Sequence, residues 1–120
     1  MRATEFLEGV TTGKIVKTLQ IGNYPVVVDQ HFYDELHKRK ILEVEAFRTL
    51  DKLPQAKAKL KNISFGNSFW LFDNISRIAL GIRVKKDLNG PIYYKLNTAI
   101  KNPDGSPPWS EANYSLVNVA

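Results

Sequence analysis

Arg77-Ile-Ala-Leu-Gly-Ile-Arg-Val84 and Ile92-Tyr-Tyr-Lys-Leu-Asn-Thr-Ala-Ile100 decide how the chain is read, because side chains of opposite character alternate along both. A period of two predicts a pair of β-strands. The link between them, Lys85-Lys-Asp-Leu-Asn-Gly-Pro91, contains Asn89-Gly90, which tolerates positive φ, followed by Pro91, which is confined to strand starts and edges. An antiparallel hairpin is expected. One face collects Ile78, Leu80, Ile82, Val84, Ile92, Tyr94, Leu96 and Ile100 and reads as core. The other collects Arg77, Ala79, Gly81, Arg83, Lys85, Tyr93, Lys95, Asn97 and Lys101, a basic surface with aromatic and small residues among its charges. Two readings of this second face stay open: an ordinary solvated sheet surface, or a platform for an anion.

Upstream of the hairpin the pattern changes twice. Lys14 to Ile21 is β-branched and roughly alternating, Ile21-Gly-Asn-Tyr24 is a turn, and Pro25-Val-Val-Val-Asp29 is a short apolar strand, so a first hairpin is expected. From Asp29, a suitable N-cap, the helical period takes over, with Phe32, Leu36 and Tyr33 as an apolar stripe. A second helix over Leu42 to Leu53 would turn Val44, Phe47 and Leu50 inward, and a third over Pro54 to Asn62 would carry Pro54 in its first turn. Lys57, Lys59 and Lys61 do not share one face of it and read as solubilising. A short helix over Thr4 to Val10 is also expected, ended by Gly9 and Gly13.

Around the central hairpin, Asn62 to Asp73 returns to strand with Gly66-Asn67 as a turn. Phe69-Trp-Leu-Phe72 has the continuous apolar run of a strand covered on both faces, which makes Trp70 a core residue. After Lys101, Asn-Pro-Asp-Gly-Ser-Pro-Pro-Trp109 is dense in turn residues, and Tyr114 to Val119 is a last short strand. The expected fold is α+β within one domain spanning residues 1–120: an antiparallel sheet made of an N-terminal hairpin and a C-terminal β-meander, with two or three helices packed on one face.

Composition narrows the function classes. The 120 residues are 43% hydrophobic and 24% charged, which fits a folded chain with its own core. Without cysteine, thiol catalysis, zinc-finger and disulfide readings fall away. No stretch approaches the roughly 18 apolar residues of a membrane span, so the expectation is a cytoplasmic protein with no membrane role. Seventeen basic against twelve acidic residues give +5, which biases the partner towards an anion, nucleic acid first and RNA before DNA.

Nucleotide-binding, zinc-protease and hydrolase signatures are absent. His31 and His37 are the only histidines, and their spacing puts them on opposite sides of a helix, so a metal or other cofactor is not expected. The stretch His31-Phe-Tyr-Asp-Glu-Leu-His-Lys-Arg-Lys-Ile41 resembles the pattern H-A-x-x-R-M-x-x-R-G-I of small toxin ribonucleases of the RelE and BrnT type. His31, Leu36, Arg39 and Ile41 fall at matching places, while Phe32, Glu35 and Lys40 replace a small residue, an arginine and the glycine. The resemblance implies metal-independent RNA cleavage, in which a 2′-hydroxyl attacks the adjacent phosphate, and an antitoxin as protein partner. In that scheme His31 is general acid or base, Arg39 and Arg83 stabilise the phosphorane, and Lys95 and Tyr93 share the sheet face of Arg83.

Two further classes of function use the same chain. A non-catalytic module would stack bases on Tyr93 or Trp109 while Arg77, Arg83, Lys85, Lys95 and Lys101 contact phosphates. A protein-interaction or inhibitor domain, for example phage-encoded, would instead pack Phe69 to Phe72 or Pro107-Pro108-Trp109 on a partner.

Overall fold

Gly22 takes φ 60, a conformation that favours glycine, and together with Asn23 it closes a two-residue turn. The turn joins β1 (Ile15–Ile21) to β2 (Tyr24–Asp29) as an antiparallel pair. The computed structural model describes residues 15–101 and 114–120, so the expected helix over Thr4 to Val10 and the residue Trp109 lie outside the described part. Asp29 ends β2 and caps the next element, its Oδ1 accepting the Phe32 backbone N–H at 3.0 Å. That cap opens α1 (Gln30–Lys38), which buries Phe32 and Leu36.

α1 stops in a Schellman turn: the Ile41 N–H donates to the Leu36 carbonyl at 2.9 Å and the Lys40 N–H to that of His37 at 3.2 Å. Lys40 sits at φ 59, where glycine is the usual occupant. α2 (Glu43–Leu50) follows, then a 3₁₀ turn (Leu53–Ala56) with Pro54 in its first turn and one turn of helix, α3 (Lys57–Leu60). α2 buries Ala46, Thr49 and Leu50, whereas Val44 is 58% exposed and does not join the expected inward stripe. With the helix starting at Glu43, Val44 lies in the first turn, on the side away from the sheet.

The fold is α+β. Six strands form one sheet in the order β1-β2-β5-β4-β3-β6, with β3 (Ser68–Asp73), β4 (Ile78–Lys86), β5 (Ile92–Lys101) and β6 (Ser115–Val119). The central hairpin pairs antiparallel as expected, with Asn89 at φ 64 in its turn. The sheet as a whole is mixed rather than antiparallel: β2 runs parallel to β5, and β3 parallel to β6. Both parallel contacts join strands distant in sequence, where no turn residue signals the pairing.

The core is built from the helices and one sheet face: Phe32, Leu36 and Leu50 meet Val26, Phe69, Leu80, Ile82 and Leu96. Trp70, Phe72 and Ala79 point the other way and pack with Ile100, Tyr114 and Leu116. β3 is thus covered on both faces, as its apolar run implied. Among the described residues, no helix is long and apolar enough to cross a membrane.

Strict alternation fails in β5. Gly81 pairs with Thr98 but Ile82 pairs with Leu96, so Asn97 is an extra residue, a β-bulge. Beyond it the faces exchange. Ile100 belongs with Trp70 rather than with the helices, and Ala99 takes the core position. Gly81 is needed opposite the bulge, since a Cβ there would lie 2.7 Å from Thr98 Cγ2 and 3.3 Å from the Trp70 ring. Ile92, expected in the core, is 41% exposed because its pair with Lys86 ends the ladder.

Candidate nucleic-acid interface

Cross-strand pairing assembles the site. On the sheet face away from the helices, Arg83 lies directly opposite Lys95, and Lys85 directly opposite Tyr93. Directly paired residues have Cβ atoms about 5 Å apart, and Arg83 and Lys85 are two residues apart on one strand, so three cations share one patch. Arg83 is exposed and its Nη2 donates to the Gly66 carbonyl at 3.1 Å. Lys95 is mostly buried and its Nζ meets Asp29 Oδ2 at 3.2 Å, so the carboxylate that caps α1 also anchors a cation of the sheet.

Lys85 differs from its neighbours. It is half-buried and its side chain makes no hydrogen bond or ion pair among the described residues. Burial, and then the positive charges of Lys95 and Arg83, push its pKa below the ordinary lysine value. Tyr93 is only 8% exposed, so it forms a wall of the site rather than the open ring that stacking on its face would require. Its phenol is pushed up by burial and by the nearby Asp87 carboxylate and stays protonated at neutral pH.

The remaining sequence candidates are dispersed. The bulge at Asn97 places Lys101 on the helix side, where its Nζ meets Glu45 Oε2 at 2.9 Å, and this removes it from the basic face. Arg77 stacks on Phe72 with its guanidinium 4.8 Å from the ring centroid, at the apolar end of the face. His31 is exposed in the first turn of α1, two residues after Asp29. Arg39 lies eight residues further on, about 12 Å along the helix axis. There its Nε is paired with Glu35 Oε1 at 3.2 Å, and the same oxygen accepts from Thr98 Oγ1 at 3.1 Å. His31 and Arg39 therefore do not converge.

Three positions of the ribonuclease-like stretch have a simpler account in this geometry. Leu36, Lys40 and Ile41 are the residues of the Schellman turn, in which a left-handed residue is followed by an apolar one. Asp29 and Asp87 were not singled out as site residues from the sequence. A carboxylate ending a strand reads as a cap, and one in a turn reads as solvated.

Next to the cations the same face holds a hollow of about 230 Å³, with Val27 and Tyr93 among its walls. Among the described residues, no group of three or more His, Asp or Glu side chains is placed to hold a metal ion. No family model, curated protein or solved structure matches the chain. Any functional reading of the site rests on its chemistry.

Proposed function

We propose that the sheet face opposite the described helices binds the sugar-phosphate backbone of single-stranded RNA through Arg83 and Lys85, beside the Asp29-paired Lys95. The observation that carries this reading is Lys85, a half-buried ammonium flanked by two like charges and with no anion of its own among the described residues. A phosphate placed there would supply the missing counter-charge and share the guanidinium of Arg83. Binding without turnover is the form favoured, because the cleavage scheme needs Arg39 at the phosphate and Arg39 is held by Glu35 at the far end of α1.

The test is fluorescence anisotropy with a labelled single-stranded RNA across a salt series, with EDTA present and the RNA checked on a gel afterwards. Two phosphate contacts predict a slope of about −1.4 in log K against log salt, and Lys85→Met should flatten it by about 0.7. The RNA should be recovered intact. A slope near zero, or a Lys85→Met variant that binds as the parent does, would remove the reading. Cut RNA would restore the catalytic one.

A further inference from the structure

We propose that the hollow beside the cation patch takes a guanine base of the bound strand, with the Asp87 carboxylate accepting from its Watson–Crick edge. This deepens the RNA-binding reading and rests on it. The hollow is lined by Thr18, Pro25, Val27, Asp87, Pro91 and Tyr93, all on β1, β2, β5 or the turn that precedes β5. Pro25, Val27, Pro91 and the Tyr93 ring give apolar walls. Thr18 and Asp87 supply the polar groups, the pattern of a small-ligand site whose few polar atoms fix orientation.

Size and position select the occupant. An apolar cavity of about 150 Å³ admits a benzene ring, and drug-sized ligands need roughly 300 Å³ or more. At about 230 Å³, this hollow suits a two-ring base and is too small for a whole nucleotide. Tyr93 is both a wall of the hollow and the direct cross-strand partner of Lys85. The backbones that carry Lys85 and the Tyr93 wall are therefore one strand spacing apart, about 4.8 Å, which sets a base in the hollow beside a phosphate at Lys85, as base and phosphate neighbour one another within a nucleotide.

Asp87 sets the preference among bases. Its side chain makes no hydrogen bond or ion pair among the described residues, while its backbone carbonyl accepts the Gly90 N–H at 2.9 Å. A carboxylate offers acceptors only, on two parallel oxygens. Guanine alone presents two adjacent donors, N1–H and the N2 amino group, to match them. Adenine and cytosine pair one amino donor with a ring-nitrogen lone pair, which faces the second oxygen unfavourably. Uracil sets its single N–H between two carbonyls.

Four eight-nucleotide RNAs test this by anisotropy: octauridylate, and the same strand with one central G, A or C. The G-containing strand should bind at least about fivefold tighter than octauridylate. Asp87→Asn should bring that ratio to within about twofold and move preference towards the A- and C-containing strands, because an amide pairs one donor with one acceptor as adenine and cytosine do. Binding of octauridylate should be unchanged or stronger once the negative charge is gone. Four affinities within about twofold of each other, or a G preference that survives Asp87→Asn, would overturn the base assignment and leave backbone binding standing. If none of the four strands binds, the RNA reading fails and the guanine site goes with it.

Discussion

Two charged regions of the molecule are treated in opposite ways. At the corner between β3 and β4, Asp73 is 1% exposed, yet its carboxylate is fully engaged: Lys52 Nζ at 2.8 Å and the backbone N–H groups of Ile75 and Ser76 at 2.9 and 3.3 Å, with the hydroxyls of Thr49 and Ser76 beside it. Burial pushes its pKa up, but the Lys52 ammonium and those N–H groups outweigh burial and hold it below the usual carboxylate value. At the middle of the sheet, Lys85 is partly buried among like charges and nothing in the described chain answers it. Charge matched within the chain serves folding. Charge left over at a half-buried position costs stability, and its use must come from outside.

Removing each charge in turn should therefore move stability in opposite directions. Asp73→Ala strands Lys52 and two backbone N–H groups, and a loss of about 3 kcal/mol is expected in urea unfolding. This is the low end for a buried pair, because Lys52 keeps 21% exposure. Lys85→Met should raise Tm by up to about 4 °C while weakening RNA binding. A Lys85→Met variant less stable than the parent would break the comparison.

The same contrast predicts two limbs in the pH profile of stability. Asp73 has a lowered folded pKa, so its contribution is complete above the ordinary aspartate range and is lost as pH falls through that range to the folded value. Asp73→Asn should flatten this acid limb in Tm measurements. Lys85 also has a lowered folded pKa, but it is a base. Its penalty is complete below that pKa and is relieved as pH rises from there towards the ordinary lysine value, so stability should climb on the alkaline side. Lys85→Met should lack that climb.

The smallest expected effect calibrates the others. Lys40 at φ 59 carries conformational strain without taking part in either charged region, and Lys40→Gly should stabilise the fold by roughly 1 kcal/mol. RNA affinity should not change. A loss of affinity in Lys40→Gly would mean that the helix end contributes to binding, and the division between folding charge and binding charge would have to be redrawn.

How much of this was legible in the sequence follows the range of the interactions. Asn89-Gly90, the Asp29 cap and the Phe69 to Phe72 run act over a few residues, and each reading of them matches the structure. The parallel contacts of β2 with β5 and of β3 with β6 bring together residues whose only connection is tertiary, and the alternating pattern alone suggested an antiparallel sheet. The candidate site divides along the same line. Arg83, Lys85, Tyr93 and Lys95 share a face because strand periodicity places them there. That Lys95 is held by Asp29 and Lys101 by Glu45 depends on partners in other elements that residue type could not name, whereas Glu35 and Arg39 stand four apart on one helix face, a spacing that itself favours their pairing. In the toxin-like stretch, Leu36 and Ile41 also hold the two apolar positions of the turn that ends the helix, with Lys40 left-handed between them.

The bulge at Asn97 acts on the strand as a frameshift acts on a message. Everything before it is read in one phase and everything after it in the other, so the assignment of Ile100 and Lys101 depends on a residue that carries no partner in the ladder. Deleting Asn97 would leave net charge as it is and set Thr98 directly after Leu96, so that plain alternation would carry Ile100 to Trp70 and Lys101 to Glu45, as the bulge does now. Pairing Asn97 into the ladder instead would slip the residues after it by one and turn Ile100 towards Glu45 and Lys101 towards Trp70.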